Sequence, residues 1–325
     1  MTPLQRALHE RIKAEGPITV EAYMEACNAY YYATRDPLGA AGDFTTAPEI
    51  SQMFGELVGA ALVDCWQRAG GPQDAVYAEL GPGRGTLAAD AMRAMRATDF
   101  AGDVHFVETS AVLREAQRQS VPDAHWHERA EDLPPQPLLL VANEFLDALA
   151  IRQHVGGIQR RVMIVGGHLA FDRDGDITET SPVRDEAVSV IARHLRQHGG
   201  VALIIDYGHP KSAAGDTLQA VRGHRYASVL EKPGEQDLTS HVDFERVAAT
   251  ARGSGAAVTP LVTQGHWLRA LGIEARAEAL ARANPAKADE VRTASHRLTS
   301  AEEMGSLFKV VAIHAPDWPA PAGFA

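Results

Sequence analysis

Hydrophobic and polar residues follow two periods along the middle of the chain. Short apolar runs of strand length alternate with stretches that have the 3.6-residue spacing of amphipathic helices. This alternation is typical of a parallel sheet covered by helices. We therefore predict an α/β fold with a doubly wound, mostly parallel sheet. Strands are predicted at 76–80, 104–108, near Trp126, at 138–143, 201–206 and 307–314, and helices at 86–97 and 111–119.

The first 70 residues are predicted to be mostly helical and to pack on the core. Amphipathic patterns cover 3–14 and 20–32, and Thr19 is placed to cap the second helix. A polar loop follows at 35–45. After it, Thr46 and Glu49 have the spacing of a capping box. The helix that they would begin has one apolar stripe, formed by Ile50, Met53, Phe54, Leu57, Val58 and Ala61.

The pattern changes after residue 150 to short alternating strands with paired glycines at the turns, which indicates antiparallel hairpins inserted into the sheet domain. A long polar connection at 211–243 is expected to be a loop that serves a site, and the tail beyond Pro316 is expected to fray. We predict three parts: an N-terminal helical region at 1–70, a core at 71–150 and 201–325, and an accessory hairpin and helix subdomain at 151–200.

Composition indicates a soluble globular enzyme. The chain has 325 residues, 45% of them hydrophobic, and a net charge of −11, which disfavours nucleic acid and is compatible with a basic protein or peptide substrate. Its two cysteines, Cys27 and Cys65, form neither a disulfide framework nor a thiolate metal site. No apolar run is long enough to span a bilayer, and the N-terminus lacks a targeting pattern. We therefore predict a cytoplasmic protein without membrane insertion and without a bound metal.

Candidate cofactor chemistry lies at 76–87, where a predicted strand turns through three glycines into a helix. Such a turn lets a ligand approach the backbone beside unpaired helical N–H groups. Thr86 stands where a dinucleotide fingerprint has its last glycine, and the Glu79 carboxylate suits a cationic group better than a pyrophosphate. These features favour S-adenosylmethionine over NAD; a purely structural turn is the alternative. The predicted cofactor-binding residues are Glu79, Gly81, Pro82, Gly83, Gly85, Thr86, Glu108, Thr109 and Asn143.

Candidate catalytic residues follow the strand at 138–143 and precede a helix near 244. The Asn143 amide oxygen can accept a hydrogen bond from a substrate N–H, and carboxylates such as Glu144 can pair with a cation. Helix capping is the alternative for Asn143, Asp147 and Asp243, and simple packing is the alternative for His241. Asp237 is a further candidate for substrate contact. The predicted catalytic residues are Asn143, Glu144, Asp147, His241 and Asp243.

Five segments together resemble the MidA-like methyltransferases, whose mitochondrial members assist the assembly of respiratory complex I. They lie at 42–56, 79–87, 142–148, 205–208 and 237–244. The resemblance implies a seven-stranded class I S-adenosylmethionine-dependent fold and, from the mitochondrial members, protein arginine methylation of a complex I subunit. It also implies that the turn from Glu79 to Gly85 holds the methionine part of the cofactor and that Glu108 holds the ribose.

We therefore predict an S-adenosylmethionine-dependent methyltransferase that N-methylates an arginine of a protein substrate, such as a complex I subunit or an assembly partner. One alternative is an assembly factor that binds S-adenosylmethionine without catalysis, and another is an NAD(P)-dependent oxidoreductase. The sequence carries no signal for an oligomeric state.

Overall fold

The computed structural model of this chain describes residues 2–34, 46–223 and 225–324. The polar loop predicted at 35–45, with the first part of the segment at 42–56, lies outside the described residues. Among the helices within those ranges, none combines the length and the apolar character that crossing a bilayer requires.

The N-terminal region is helical, as predicted. Its elements are α1 (Pro3–Glu15), β1 (Ile18–Thr19) and α2 (Val20–Thr34). The Thr19 hydroxyl accepts a hydrogen bond from the Ala22 amide at 3.1 Å, which confirms the predicted cap. Tyr23, Met24 and Cys27 on α2 are buried in a cluster with residues of α1 and of the accessory strands. These contacts join the N-terminal helices to residues between 150 and 238.

The capping box predicted at Thr46 is wrong. The structure has two helices there, α3 (Ala47–Ile50) and α4 (Gln52–Arg68), separated by Ser51 in extended conformation. The Thr46 side chain makes no capping hydrogen bond, whereas the Ser51 hydroxyl accepts one from the Met53 amide at 3.2 Å. Glu49 instead accepts a hydrogen bond from the Thr86 hydroxyl at 2.6 Å. A tertiary partner has taken the carboxylate that a local motif would have used.

The first half of the central sheet follows the predicted alternation. Its elements are β2 (Val76–Leu80), α5 (Thr86–Arg96), β3 (Val104–Val107), α6 (Ala111–Ser120), β4 (His125–His127) and β5 (Leu138–Asn143). Strand β2 lies between β3 and β5 and is parallel to both. Because Leu80 pairs with Val107 on one side and Ala142 on the other, the carboxyl ends of these strands meet at one edge of the sheet.

The insertion contains the predicted hairpins. Its elements are β6 (Arg152–Val155), β7 (Ile158–Gln159), β8 (Arg161–Val165), β9 (His168–Phe171), β10 (Ile177–Thr180) and α7 (Pro182–His198). They form two antiparallel sheets with the orders β1-β8-β9 and β10-β6-β7. On α7, Val188, Ile191 and Leu195 are buried in the same cluster as side chains of the central sheet. The helix therefore contributes to the core, and the division into three parts stays a prediction.

The prediction of a long loop at 211–243 is wrong. After β11 (Gly200–His209) come β12 (Gln219–Arg222), β13 (Arg225–Ala227), β14 (Asp237–Thr239) and β15 (Val242–Asp243). The first three of these four form an antiparallel sheet. Its isolated apolar residues Ala220 and Leu238 are fully buried against α2. The Asn28 amide also hydrogen-bonds both the N–H and the C=O of Leu238, at 3.2 and 2.7 Å, so distant contacts order this polar stretch.

The remaining elements complete the sheet. They are α8 (Phe244–Gly253), β16 (Ala257–Val258), β17 (Val262–Thr263), α9 (Gln264–Ala270), α10 (Ile273–Ala283), α11 (Ala288–Thr299), α12 (Met304–Leu307) and β18 (Phe308–His314). The seven-stranded order is β16-β18-β11-β5-β2-β3-β4, with β15 beside β11 and β17 beside β18. Strand β18 is antiparallel to its neighbours and the others on the path are parallel to one another, which confirms the predicted fold class.

The C-terminal tail is packed, so the prediction that it frays is wrong. Trp318 lies against Gly199, where an added Cβ would come within 2.8 Å of the indole nitrogen. Phe324 is only 7% exposed and contacts Trp267, with 6.2 Å between ring centroids. The Trp267 indole N–H donates to the Ala322 carbonyl at 3.2 Å. Aromatic burial outweighs the entropy of a free terminus here.

Replacing Phe324 by alanine is expected to destabilise the protein by about 3 kcal/mol, because the substitution leaves a cavity beside Trp267. Thermal and urea unfolding would measure the loss. Ile158→Ala is the control, because Ile158 is 59% exposed in a hairpin and its truncation should change stability by less than about 0.5 kcal/mol. If both substitutions change the free energy of unfolding by the same amount, the tail does not contribute to stability.

Candidate active site

A cavity of about 800 Å³ lies at the edge where the carboxyl ends of β2, β3 and β5 meet. The crevice at this edge of a doubly wound sheet is the usual ligand site of such folds. The structure brings nearly all of the predicted cofactor residues into the cavity wall. Those that line it are Glu79, Gly81, Pro82, Gly83, Thr86, Glu108, Thr109 and Asn143.

The glycine turn needs the backbone freedom of glycine. Gly81 and Gly83 have φ of 61° and 55°, in the left-handed region. A Cβ on Gly81 would lie 3.0 Å from the Phe145 ring. Gly85, also with positive φ, is the N-cap residue of α5 and is absent from the described lining of the cavity. Its part is to turn the chain into the helix, while Gly81 and Gly83 line the cavity.

Glu79 is a buried carboxyl group in the wall of the cavity. It is 2% exposed, and its Oε2 accepts a hydrogen bond from the Tyr77 hydroxyl at 2.8 Å. Burial raises its pKa to about 8. Because a nearby positive charge favours the ionised form of a carboxyl group, a cationic ligand in this cavity would draw the proton off Glu79. The structure thus gives a physical basis for the predicted preference for a sulfonium ligand.

Glu108 is held in place by a residue that the sequence did not reveal, Gln117 on α6. The Glu108 carboxylate accepts hydrogen bonds from the Ser110 amide at 2.7 Å and from the Gln117 side chain at 3.3 Å. The same Gln117 amide nitrogen donates to the Gly83 carbonyl at 2.7 Å, so one buried side chain joins the glycine turn to Glu108. The sequence offers one signal for Gln117: it is a polar residue four positions after the buried Leu113, so it lies on the apolar stripe of its helix.

Asn143 ends β5 and its side chain lines the cavity. Its Nδ2 donates to Glu144 Oε1 at 3.3 Å. The buried Oδ1 has no hydrogen-bond partner in the described part of the chain. A buried unsatisfied acceptor is costly unless a ligand donor satisfies it. The orientation fits the predicted use of this oxygen as an acceptor for a ligand or substrate N–H.

Glu144 lies at the junction of the first cavity with a second. Its φ of 50° is uncommon for a residue other than glycine, and such conformations cluster at functional sites. The N–H of Glu144 donates to the Ile205 carbonyl at 2.9 Å, and its Oε1 accepts from the Ala47 amide at 3.4 Å. Burial, followed by repulsion from the Asp147 carboxyl, raises the pKa of Glu144 to about 8. A carboxyl group with this pKa is mostly protonated at pH 7, and a cation bound beside it would favour the ionised form that can accept a proton.

The second cavity, about 190 Å³, shares Tyr32 and Glu144 with the first. Two further predicted catalytic residues, Asp147 and His241, line it. The His241 ring packs edge-on against Tyr207, and burial lowers its pKa. The remaining lining residues in the described part of the chain are Tyr207, Gln219, Val221, Tyr226, Asp237, Thr239, Leu307 and Phe308.

The structure does not bring Asp243 into the described lining of either cavity. One of its oxygens accepts a hydrogen bond from the Arg246 amide at 3.0 Å, and the other accepts from the Ser212 hydroxyl at 2.6 Å. Asp243 is therefore the N-cap of α8, which was the alternative interpretation of this residue. Its carboxylate is directed at the start of the helix, away from the reacting groups.

Two buried charged residues behind the second cavity were missed. Arg184 on α7 donates to five backbone carbonyls, those of Leu146, Asp147, Leu149, Ser240 and His241. The Asp206 carboxylate accepts from the amides of Leu146 and Asp147 at 3.0 and 3.2 Å. Together they fix the loop after β5. The only sequence signal was the acid that follows the apolar run of β11.

The best metal-ligating group among the described residues is Asp103, His105 and His125, whose candidate ligand atoms lie within 4.8 Å of one another. It lies on β4 and at the amino end of β3, and none of its members is in the described lining of either cavity. His105 Nδ1 and His127 Nε2 are 2.9 Å apart, a hydrogen bond that fits a packing role for these histidines. No step at the site described above involves this group.

Comparisons with known proteins agree with this geometry. Residues 57–166 and 158–262 match a family described as "Putative S-adenosyl-L-methionine-dependent methyltransferase". The chain is 35% identical to the protein arginine methyltransferase NDUFAF7 homolog, mitochondrial, of Drosophila melanogaster, over 95% of this chain and 84% of that protein. It is 32% identical to the protein arginine methyltransferase NDUFAF7, mitochondrial, of Mus musculus, over 96% and 84%.

Among solved structures, the chain is similar to a protein from Burkholderia thailandensis that was crystallised with S-adenosyl-homocysteine. The TM-score is 0.84 at 26% identity, and the match covers 97% of this chain and 93% of the other. S-adenosyl-homocysteine is the product that S-adenosylmethionine leaves after methyl transfer. This similarity, with the family match, confirms the predicted cofactor.

Replacing Gly83 by valine is expected to abolish binding of S-adenosyl-homocysteine in isothermal titration calorimetry, because the side chain would enter the cavity. Gly166→Val is the matched control. Its φ of 58° imposes the same backbone strain, yet a Cβ there meets nothing within 4 Å in a hairpin turn. If both variants bind the ligand like the wild type, the cavity is not the cofactor site.

The affinity for S-adenosylmethionine is expected to rise with pH as Glu79 ionises. In the free protein the pKa of this carboxyl is about 8, and a bound cation lowers it. Binding at a pH below 8 therefore releases a proton, and the affinity rises by up to about tenfold for each unit of pH in that range. Titrations from pH 6 to 8 should show a smaller slope for Glu79→Gln, which keeps the acceptor for Tyr77. Since the titration of the ligand itself is common to both proteins, identical slopes would contradict a contact between Glu79 and the cation.

Proposed function

This chain belongs to the family of S-adenosyl-L-methionine-dependent methyltransferases that its sequence matches, and we propose that it methylates an arginine side chain of a protein. The family, the class I fold and the methyltransferase activity predicted from the sequence are thereby confirmed. The alternative of an NAD(P)-dependent oxidoreductase is wrong. The identity of the acceptor is the part that we propose.

One observation carries the proposal: the partly buried Glu144 carboxyl lines both the cofactor cavity and the second cavity. An arginine side chain needs a carboxylate beside it, because its guanidinium carries a permanent positive charge in water. At the same place Asn143 adds an acceptor oxygen that has no donor among the described residues. The names of the curated relatives describe protein arginine methyltransferases, which supports the same acceptor.

The residues at the junction can perform two tasks. Bound in the first cavity, S-adenosylmethionine supplies an electrophilic methyl group. Asn143 and Glu144 orient one guanidinium nitrogen, which forms the new N–C bond as the S–C bond breaks and its electron pair stays on sulfur. The Glu144 carboxylate accepts the proton that this nitrogen loses, so the methylated guanidinium leaves with its charge unchanged.

The protein that carries the acceptor arginine and the location of the enzyme are further parts of the proposal. The MidA-like resemblance supports a subunit of respiratory complex I or an assembly partner. The net charge of −11 favours a basic segment. The curated relatives are mitochondrial by name, whereas the sequence of this chain predicted the cytoplasm. Fractionation of cells that express the full chain would decide between the two compartments.

Incubation of the protein with methyl-labelled S-adenosylmethionine and an extract of its own cells is expected to label arginine residues, identified by mass spectrometry of digested peptides. Glu144→Gln should lower the labelling rate at least about 100-fold, because general-base catalysis of this kind contributes 10²–10⁴. Its affinity for S-adenosyl-homocysteine should stay within a few-fold of the wild type. Glu115→Gln, at an exposed site on α6, is the control.

Label on lysine or on a small molecule instead of arginine would contradict the proposed acceptor. Binding of S-adenosyl-homocysteine with no label on any arginine of the extract would also contradict it. Labelling by Glu144→Gln at the wild-type rate would show that another group accepts the proton.

A further inference from the structure

The second cavity contains residues that the mechanism above does not use. Besides Tyr32 and Glu144, which it shares with the cofactor cavity, its wall includes Asp147, Asp237 and Tyr207. We propose that this cavity is the binding site for the acceptor arginine, and that Asp147 and Asp237 bind its guanidinium group. The proposal rests on the function proposed above, and it assigns substrate specificity to residues that lie outside the cofactor cavity.

The described lining of the second cavity has acidic side chains that no lysine or arginine in that lining balances. Three carboxyl groups line it, those of Glu144, Asp147 and Asp237, and its described lining contains neither lysine nor arginine. The buried Arg184 lies behind the wall, where its guanidinium is engaged by backbone carbonyls. A small cavity with several carboxyl groups and no lining cation is complementary to a cationic side chain.

One carboxyl oxygen in this wall is left without a hydrogen bond. Asp147 is 4% exposed, and its Oδ1 has no partner among the described residues. Burial raises the pKa of Asp147, and Glu144 experiences repulsion from it. The Tyr207 side chain and the Arg184 charge favour the ionised form of Asp147 but do not outweigh burial. A buried carboxylate oxygen without a donor is unfavourable. A guanidinium supplies such a donor, since it carries a positive charge and five N–H donors.

The cavity has the size and the polarity gradient for a long side chain that enters from the surface. Its volume of about 190 Å³ suits one side chain. Tyr226 and Leu307, which also line it, are 80% and 49% exposed and mark the solvent end. Tyr207 and Phe308 pack edge to face with 5.5 Å between ring centroids and form an aromatic wall between the two ends. The apolar stem of an arginine would contact these rings while its head reaches Glu144.

The position of Asp237 is fixed by the N-terminal region. The Tyr32 hydroxyl donates to Asp237 Oδ1 at 2.8 Å. One residue along β14, Leu238 is held through both its backbone groups by Asn28 on α2. A planar guanidinium can bind carboxylates at separate points in one plane, whereas an ammonium is a compact point charge. Rigidly placed carboxylates at Asp147 and Asp237 therefore favour arginine over lysine.

The test uses the full chain saturated with S-adenosyl-homocysteine and, as the probe, N-acetyl-L-arginine methylamide at millimolar concentration. Saturation-transfer NMR should detect binding of this probe and none of its neutral citrulline analogue. Asp237→Asn should weaken probe binding at least about tenfold, since one partner of a buried charge pair is lost. Asp123→Asn, at an exposed site, should bind the probe like the wild type. The affinity for S-adenosyl-homocysteine, measured on each variant, reports whether the fold is intact.

Three results would overturn the proposal. The arginine probe does not bind the wild type, the citrulline analogue or the corresponding lysine analogue binds the wild type as tightly as the arginine probe does, or Asp237→Asn binds the arginine probe as tightly as the wild type does. Failure of the proposed function has a different signature: no label on arginine in the cell extract, whichever residues bind the probe. Probe binding with the expected loss in Asp237→Asn supports the assignment of the cavity even where the natural acceptor protein is still unidentified.

Discussion

The active site depends on one buried cation. Arg184 ties the backbone carbonyls of the loop after β5 to those of Ser240 and His241, while Asp206 at the end of β11 accepts the amides of the same loop. Taking a charge out of water is costly unless the charged group is hydrogen-bonded. The arrangement persists because nearly every donor of the guanidinium finds an oxygen. It places Glu144, which the proposed chemistry uses, at the junction of the two cavities and Asp147 in the wall of the second.

The sheet and the cofactor cavity could be predicted from the sequence because their signals are local. A buried strand, a turn that requires positive φ and an amphipathic helix each fall within a dozen residues. The acids at the ends of β2 and β3 were recognisable for the same reason, since parallel neighbours bring their carboxyl ends together. The local pattern favoured S-adenosylmethionine over NAD, and the family resemblance added the seven-stranded topology and the class of acceptor.

What the sequence did not reveal depends on partners distant in the chain. Gln117 is a polar residue on an apolar stripe until the glycine turn and Glu108 are placed beside it. The stretch from 211 to 243 has too few apolar residues to predict strands, yet Asn28 supplies hydrogen bonds that order β14 from more than 200 residues away. Thr46 and Glu49 have the local spacing of a cap, but Thr86 offers Glu49 a better partner. In each case a tertiary contact outcompetes a local preference.

The same logic explains why Glu144 has its unusual backbone. Its N–H donates to the Ile205 carbonyl of β11, so the first residue after β5 is still hydrogen-bonded to the sheet, while its positive φ and its place in the lining of both cavities set it apart from the strand. A residue in regular strand geometry would direct its side chain to a face of the sheet, where the core clusters lie. The backbone strain at Glu144 therefore accompanies the placement of its carboxyl group between the two cavities. The contacts of Arg184 and Asp206 with the residues that follow Glu144 stabilise this conformation.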